Sequence, residues 1–415
     1  MADPGVSVQQ RFEAPRALVW ALLADTNRYD RALGLGVPRY EWREIDGQRR
    51  QVGHGSQGGV SMSWIEQPYE WIEGQQLSSR RDYLSGPAEE GGLRVELTDD
   101  GDGCLATVTA SGVTRSRVLR ALGPLIRAHL RRKLRAYVEA IAAMVKAPHS
   151  SAVDDLSQPA ATRAQALVSE AYDETLSGRS TPCDHAELER RAQRLSSAPI
   201  DPTVREAIVQ ALGSRPDEEV SQMRPFELAR QWGHDRRRVL QGFLHGTRAG
   251  LVDLNWQVNC PVCKVAAGVV SNLGDVGRDV HCEACNIRYD IDFGANVEAV
   301  FRCNRAIRDV EPAVYCAASP SFRPHVLAQL RIATGEHRTE TLHPGDGRLR
   351  LRTLADQQPA ELRDEAVPAR VEVTVTPTAV TAQAHGVSKD GAMTLELRST
   401  LDAPGYLLIE RGAWA

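Results

Sequence analysis

The chain has 415 residues, with 50 Lys and Arg against 54 Asp and Glu and a formal net charge of -4. Hydrophobic residues at 42% and charged residues at 25% exclude a disordered or fibrous chain, and the length calls for several globular domains. No apolar run reaches the ~18 residues of a membrane span, and the opening "MADPGVSVQQRFEAP" lacks the regions of a signal peptide. A cytoplasmic location with reduced thiols is therefore expected, and any nucleic-acid affinity would need a local patch.

Residues Val6 to Phe12 read as a strand. "APRALVWALLADTNRYDRALGL" then places Leu18, Val19, Leu22 and Leu23 at helical spacing. From Arg39 to Ala110 alternation interrupted by "GSQGG", "SGPAEEGG" and "TDDGDG" predicts a meander of about five or six antiparallel strands. Val113 to Val145 carries Val118, Leu122, Ile126, Leu130, Leu134, Ile141 and Val145 on one stripe, a long amphipathic helix with a bend expected at Gly123-Pro124. These elements define a first domain over 1–147. The small, polar stretch over 148–163 suits a linker.

The stretch over 164–255 is helical in pattern, and Asp201-Pro202 and Arg224-Pro225 suit helix starts. Within it, "RPFELARQWGHDRRRVLQGFLHGTRAGLVDLNW" has the cadence of a winged helix-turn-helix. Arg236, Arg237 and Arg238 would be its candidate phosphate or base contacts. The local charge excess is small for a DNA reader, so a helical connector is the expectation, with a DNA-binding transcription regulator as the alternative.

Four cysteines follow at 256–295, in the pairs Cys260/Cys263 and Cys282/Cys285. Two Cys-x-x-Cys turns with an 18-residue spacer fall in the zinc-ribbon range, and four thiolates complete a tetrahedral shell, so a structural Zn²⁺ is expected. The spacer reads as a hairpin, "KVAAGVV" and "GRDVHC", that would bring the pairs together. His281 is not needed as a ligand. Cys104, Cys183, Cys303 and Cys316 read as small buried hydrophobes. From 296 to 415 the strands of "RVEVTV" and its neighbours predict a small antiparallel β-sandwich.

The order strand, two short helices, meander and long helix resembles the START-like helix-grip fold. That resemblance implies a cavity for a small hydrophobic ligand, with Trp20, Trp64, Trp71 and Tyr83 as candidate wall residues, although core packing is their commoner role. The long helix and its tail, Val113 to Ser150, carry nine Lys or Arg and one acid, Glu139. No Gly-x4-Gly-Lys-Ser/Thr, His-Glu-x-x-His or Gly-x-Ser-x-Gly motif occurs, so no catalytic residue is assigned.

At "WQVNCPVCK", "HCEACNIRYDIDF", "VEAVFRCNRAIRDVEPAVYCAASPSFRPHVLAQ" and "GYLLIERGAW" the chain resembles the region that precedes the catalytic domain of certain bacterial class III adenylate/guanylate cyclases. The resemblance implies an α+β multidomain regulatory module. Its helix-grip domain would take a ligand and pass its state to a cyclase domain in cis or in trans. The Phe-x-Asp-x-x-Gly-Ser/Thr segment of class III catalytic domains is absent from the sequence, so a noncatalytic chain, truncated or free-standing, is expected. A polyketide-cyclase-like enzyme using the helix-grip cavity is the remaining alternative.

Overall fold

A computed structural model describes residues 5–35, 38–149, 160–170, 181–261, 266–282, 287–310, 319–323, 325–345, 347–354, 358–362 and 366–412. The first half runs β1 (Val6–Phe12), α1 (Arg16–Leu23), α2 (Thr26–Leu33), β2 (Arg39–Ile45), β3 (Gln48–Gln57), β4 (Val60–Glu66), β5 (Glu70–Ile72), β6 (Gln76–Ser85), β7 (Ala88–Asp100), β8 (Gly103–Thr114), α3 (Arg117–Ala121) and α4 (Gly123–Lys146). This is the order expected of the helix-grip half. The meander has one strand more than expected, the three-residue β5. The bend expected at Gly123-Pro124 is a break between two helices, with Pro124 in the first turn of α4, where a missing N–H costs nothing.

Helix α4 buries only its second half, through Leu134, Tyr137, Val138, Ile141, Met144 and Val145. These side chains meet Val6, Val8 and Phe12 of β1 and the apolar face of α1 in one core. Helix α5 (Ala160–Glu170) lies against α1, and its Ala164, Leu167 and Val168 join that core. Residues expected to open the helical region thus belong to the first half, because their apolar stripe finds its partner there.

The sheet forks at β6. Residues Arg81, Asp82, Tyr83 and Ser85 of β6 pair with β4, whereas Gln76, Leu77 and Ser78 pair with β5. Beyond β5 the sheet does not end, because Trp71 and Ile72 pair with Gln329 and Ala328 of β14 (Val326–Ile332). It continues through β21 (Gly405–Arg411), β16 (Leu349–Thr353) and β17 (Ala360–Leu362), giving twelve strands among the described residues. The other layer of the C-terminal sandwich is β15 (His337–Leu342), β20 (Met393–Ser399), β18 (Pro368–Val375) and β19 (Val380–Val387). Leu330, Ile332, Leu351, Leu407 and Ile409 of one layer share a core with Val371, Val373, Val375, Leu395 and Leu397 of the other. The sandwich is not wholly antiparallel, since β18 runs parallel to β20.

Between the two halves lie α6 (His185–Ser196), α7 (Pro202–Ser214), α8 (Asp217–Ser221), α9 (Pro225–Trp232) and α10 (Arg236–Ala249). Asp184, Asp201 and Asp235 cap α6, α7 and α10 by accepting backbone N–H bonds, and Gly233 and Gly250 end α9 and α10 at positive φ. Strands β9 (Val252–Asn259), β10 (Ala266–Val270), β11 (Asp279–Cys282) and β12 (Ile287–Asp290) follow, then the short helix α11 (Phe293–Asn296) and β13 (Val297–Cys303). Phe301 and Cys303 of β13 pack with Phe243 of α10, so this strand completes the helical region rather than opening the sandwich. Burial pushes the Cys303 thiol up to about 12, as expected of a small core residue.

The expected zinc site is corrected. Among the described residues no group of three or more His, Cys, Asp and Glu side chains is placed to hold a metal ion. Cys260 and Cys282 are buried, while Cys263 and Cys285 lie outside the described residues. Among the described residues the two spacer strands do not pair with each other: β10 pairs with β9, and β11 pairs with β12 in a separate sheet.

Glu410 on β21 is fully buried, and Arg350, Arg352 and His325 converge on its carboxylate. Burial raises this carboxyl, but His325 at 3.7 Å and the Arg352 and Arg350 guanidinium groups outweigh burial and hold it at about 2. A carboxyl lowered on folding stabilises the fold above its ordinary range and loses that contribution as pH falls. Denaturant unfolding at a series of pH values should show the wild type losing stability between about 4.5 and about 2 more steeply than Glu410→Gln. Equal slopes would show that the cluster contributes nothing.

Candidate functional site

Helix α2, "TNRYDRAL", reads as a surface helix, yet Thr26, Asn27, Arg28, Tyr29 and Asp30 are all buried. Polar groups survive burial only with partners, and α2 has them. Asp25 caps the helix through the Asn27 N–H at 3.1 Å, and Arg28 Nη1 donates to the Leu22 carbonyl at 2.6 Å and pairs with Asp25 at 3.2 Å. Asp30 takes a two-pronged contact from Arg81 of β6, with both N–H···O distances 2.7 Å.

The same guanidinium spans to β4. Arg81 Nε donates to Glu66 Oε2 at 3.0 Å, and Trp64 Nε1 and Tyr40 OH donate to that oxygen at 2.8 and 3.1 Å. Arg81 also lies 4.8 Å above the Trp64 ring, an aromatic face that Tyr40 and Tyr83 flank at 6.2 and 5.8 Å. Burial opposes the Arg81 charge, but Asp30 and Glu66 more than offset it and raise its pKa well above the ordinary value. The Trp64 ring presses so closely on β3 that a Cβ on Gly53 would stand 2.4 Å from Trp64 Cε2, so only glycine fits there.

This cluster is held rather than poised: both carboxylates are committed to fixed donors. It ties α2 to three strands and fills the space between them. Of the expected wall residues, Trp64 and Trp71 are 0% exposed, Trp20 is buried at 7%, and Tyr83 is partly buried. Trp64 and Tyr83 come together at the cluster. Trp71 lies instead at the junction with the C-terminal sandwich, where its Nε1 donates to the Val326 carbonyl at 3.3 Å.

That junction is itself built from buried polar groups. Gln329 of β14 donates to the Tyr69 carbonyl at 2.5 Å and accepts from Arg323 at 2.9 Å, and Ser319 Oγ donates to the Ala24 carbonyl at 3.1 Å. The Glu73 N–H bonds the Leu327 carbonyl at 2.7 Å, and Arg338 pairs with Glu70 at 2.7 Å. A third contact leaves α2 for the helical region, where Arg31 pairs with Glu218 of α8. Burial raises the Glu218 carboxyl to about 7 against the pull of Arg31.

The three arginines at the start of α10 are all exposed. Arg236 stacks over Phe226 at 4.4 Å, and Arg238 pairs with Asp201 at 3.1 Å. A cleft of about 460 Å³ in the same region is lined by Gln210, Ser214, Arg215, Glu219, Trp232 and His234, among others.

Residues 188–319 match the model of a family of unknown function (DUF5939). No curated protein matches the chain. Solved structures resemble it at low scores. TTHA0849 from Thermus thermophilus is 16% identical, with a TM-score of 0.26 over 33% of this chain and 92% of that one. Ara h 8.0201 is 14% identical, with a TM-score of 0.25 over 34% and 96%. CalU16 from Micromonospora echinospora is 16% identical, with a TM-score of 0.22 over 41% and 88%. Likeness at this level says nothing of function.

If Arg81 is what makes the buried carboxylates tolerable, Arg81→Met should cost about 3–5 kcal/mol in denaturant unfolding, since it strands two buried charges. Adding Asp30→Asn and Glu66→Gln should recover part of the loss. A single variant within about 1 kcal/mol of wild type would contradict the assignment.

Proposed function

We propose that the chain is a noncatalytic regulatory module of the class III adenylate/guanylate cyclase type, whose first half receives a small hydrophobic ligand and whose C-terminal sandwich carries the effect to a cyclase domain in cis or in trans. The observation that carries this reading is the β5–β14 pairing, which makes the sheet of the first half continuous with one layer of the sandwich. A ligand pressing on the aromatic core of the first half would move Trp71, and Trp71 is bonded across the junction to Val326. The buried Asp30 and Glu66 are both engaged by Arg81, which fits a sensing role better than acid–base chemistry.

The test is cyclic-nucleotide production by a class III cyclase domain from the source genome, added in trans or joined after Ala415. The chain alone should form no cyclic nucleotide from ATP or GTP, but should change the rate of the cyclase domain. Gln329→Ala, which removes the side chain that ties β14 to Tyr69, should weaken that change while the first half stays folded. Cyclase output indifferent to the chain, or product made by the chain alone, would contradict the proposal.

A further inference from the structure

Helix α3 and the first half of α4 project beyond the core they lead into. Val118 is 69% exposed and Leu125 70% exposed, and Leu122, Ile126 and Leu84 are also exposed. Leu84 belongs with them in space, because Arg115, just before α3, donates from Nη1 to the Leu84 carbonyl at 3.5 Å. At 100° per residue, Leu122, Leu125, Ile126 and half-buried Leu130 fall on one side of α4. Arg127, Arg131 and Arg135 fall on the other, and Arg132 borders the apolar side next to Leu125. Arg115, Arg117 and Arg120 surround α3, and the first acidic residue reached along the chain from Arg115 is Glu139.

We propose that this elbow docks on an anionic lipid bilayer surface. Its apolar side chains would enter the headgroup boundary and its arginines would meet lipid phosphates. Two features select this occupant. The two helices carry only positive charge from Arg115 to Arg135, with the exposed Glu89 and Glu90 of β7 at their edge, so a second copy of the same helices would be repelled, whereas an anionic surface is complementary. The apolar groups sit on a projecting helix break at Leu122 rather than in a groove, and long cationic side chains beside them can snorkel to headgroups while the leucines insert. No helix among the described residues is long and apolar enough to cross a membrane, so the contact would lie in the plane of the interface. This inference does not rest on the regulatory role and is tested without a cyclase.

The full chain should sediment with vesicles of phosphatidylcholine and phosphatidylglycerol at low ionic strength, and not with phosphatidylcholine alone. Arg131→Ala should weaken partitioning about fivefold, and added salt should do likewise. Leu122→Glu with Leu125→Glu should abolish it, whereas Val387→Glu, at an exposed apolar site on the sandwich, should not. Both leucines are exposed, so circular dichroism should show the double variant folded. Failure of the wild type to bind anionic vesicles would overturn the proposal and leave an acidic protein as the occupant to seek. Undiminished binding by the folded double variant would overturn it by placing the contact elsewhere.

Discussion

Strand β5 is three residues long and has to satisfy neighbours on both sides, β6 of its own half and β14 from the far end of the chain. Backbone groups buried between two layers of protein must be paired, so β5 is not an ornament at the edge of the first sheet. Without β14, the outer edge of β5 would expose Trp71 and Ile72, both buried in the chain as it stands. Without β5, β14 would lose the strand beside Gln329. The two halves therefore complete each other, and the polar residues at the junction make sense as side chains that fix its register.

The segment Ser319 to Gln329, "SPSFRPHVLAQ", shows what this demands of a sequence. Ser319 reaches Ala24, just after α1, and Gln329 reaches Tyr69, just before β5, while Arg323 holds Gln329 in place. His325 extends the same segment towards Glu410 on β21. Ser319, Arg323 and Gln329 are buried, and each is costly to bury without the partner it has. A hydrophobic seam would hold as well, but it would permit sliding, and a hydrogen-bonded one does not.

Much of this fold is legible in the amino-acid pattern, and the illegible parts share a cause. The strand, helix and meander order of the first half follows from period, and the helices of the middle region from Asp, Pro and Gly at their ends. Strand β5 is too short to alternate, so it leaves no signal. Its partner stands more than 250 positions away, and alternation says which face of a strand is buried but not which strand lies beside it. The Arg81 cluster leaves no trace in the pattern because "TNRYDRAL" has the composition of a surface helix, and only tertiary contacts show that its acids and arginines are matched. The cysteine spacing is legible, but the strands around it pair locally, β10 with β9 and β11 with β12. Among the candidate aromatic residues, the pattern does not separate Trp64, at the ion cluster, from Trp71, at the junction.

The β5–β14 pairing joins the first half and the sandwich into one cooperative unit. Native-state hydrogen exchange tests it most directly, because it reads the opening free energy of each strand separately. The account predicts that slow amides of β7 and β8 in the first half, of the junction at Glu73, and of β21 in the sandwich open with one common free energy. Two distinct opening free energies, one for each half, with the Glu73 amide exchanging ahead of both, would show two domains in mere contact and would contradict it.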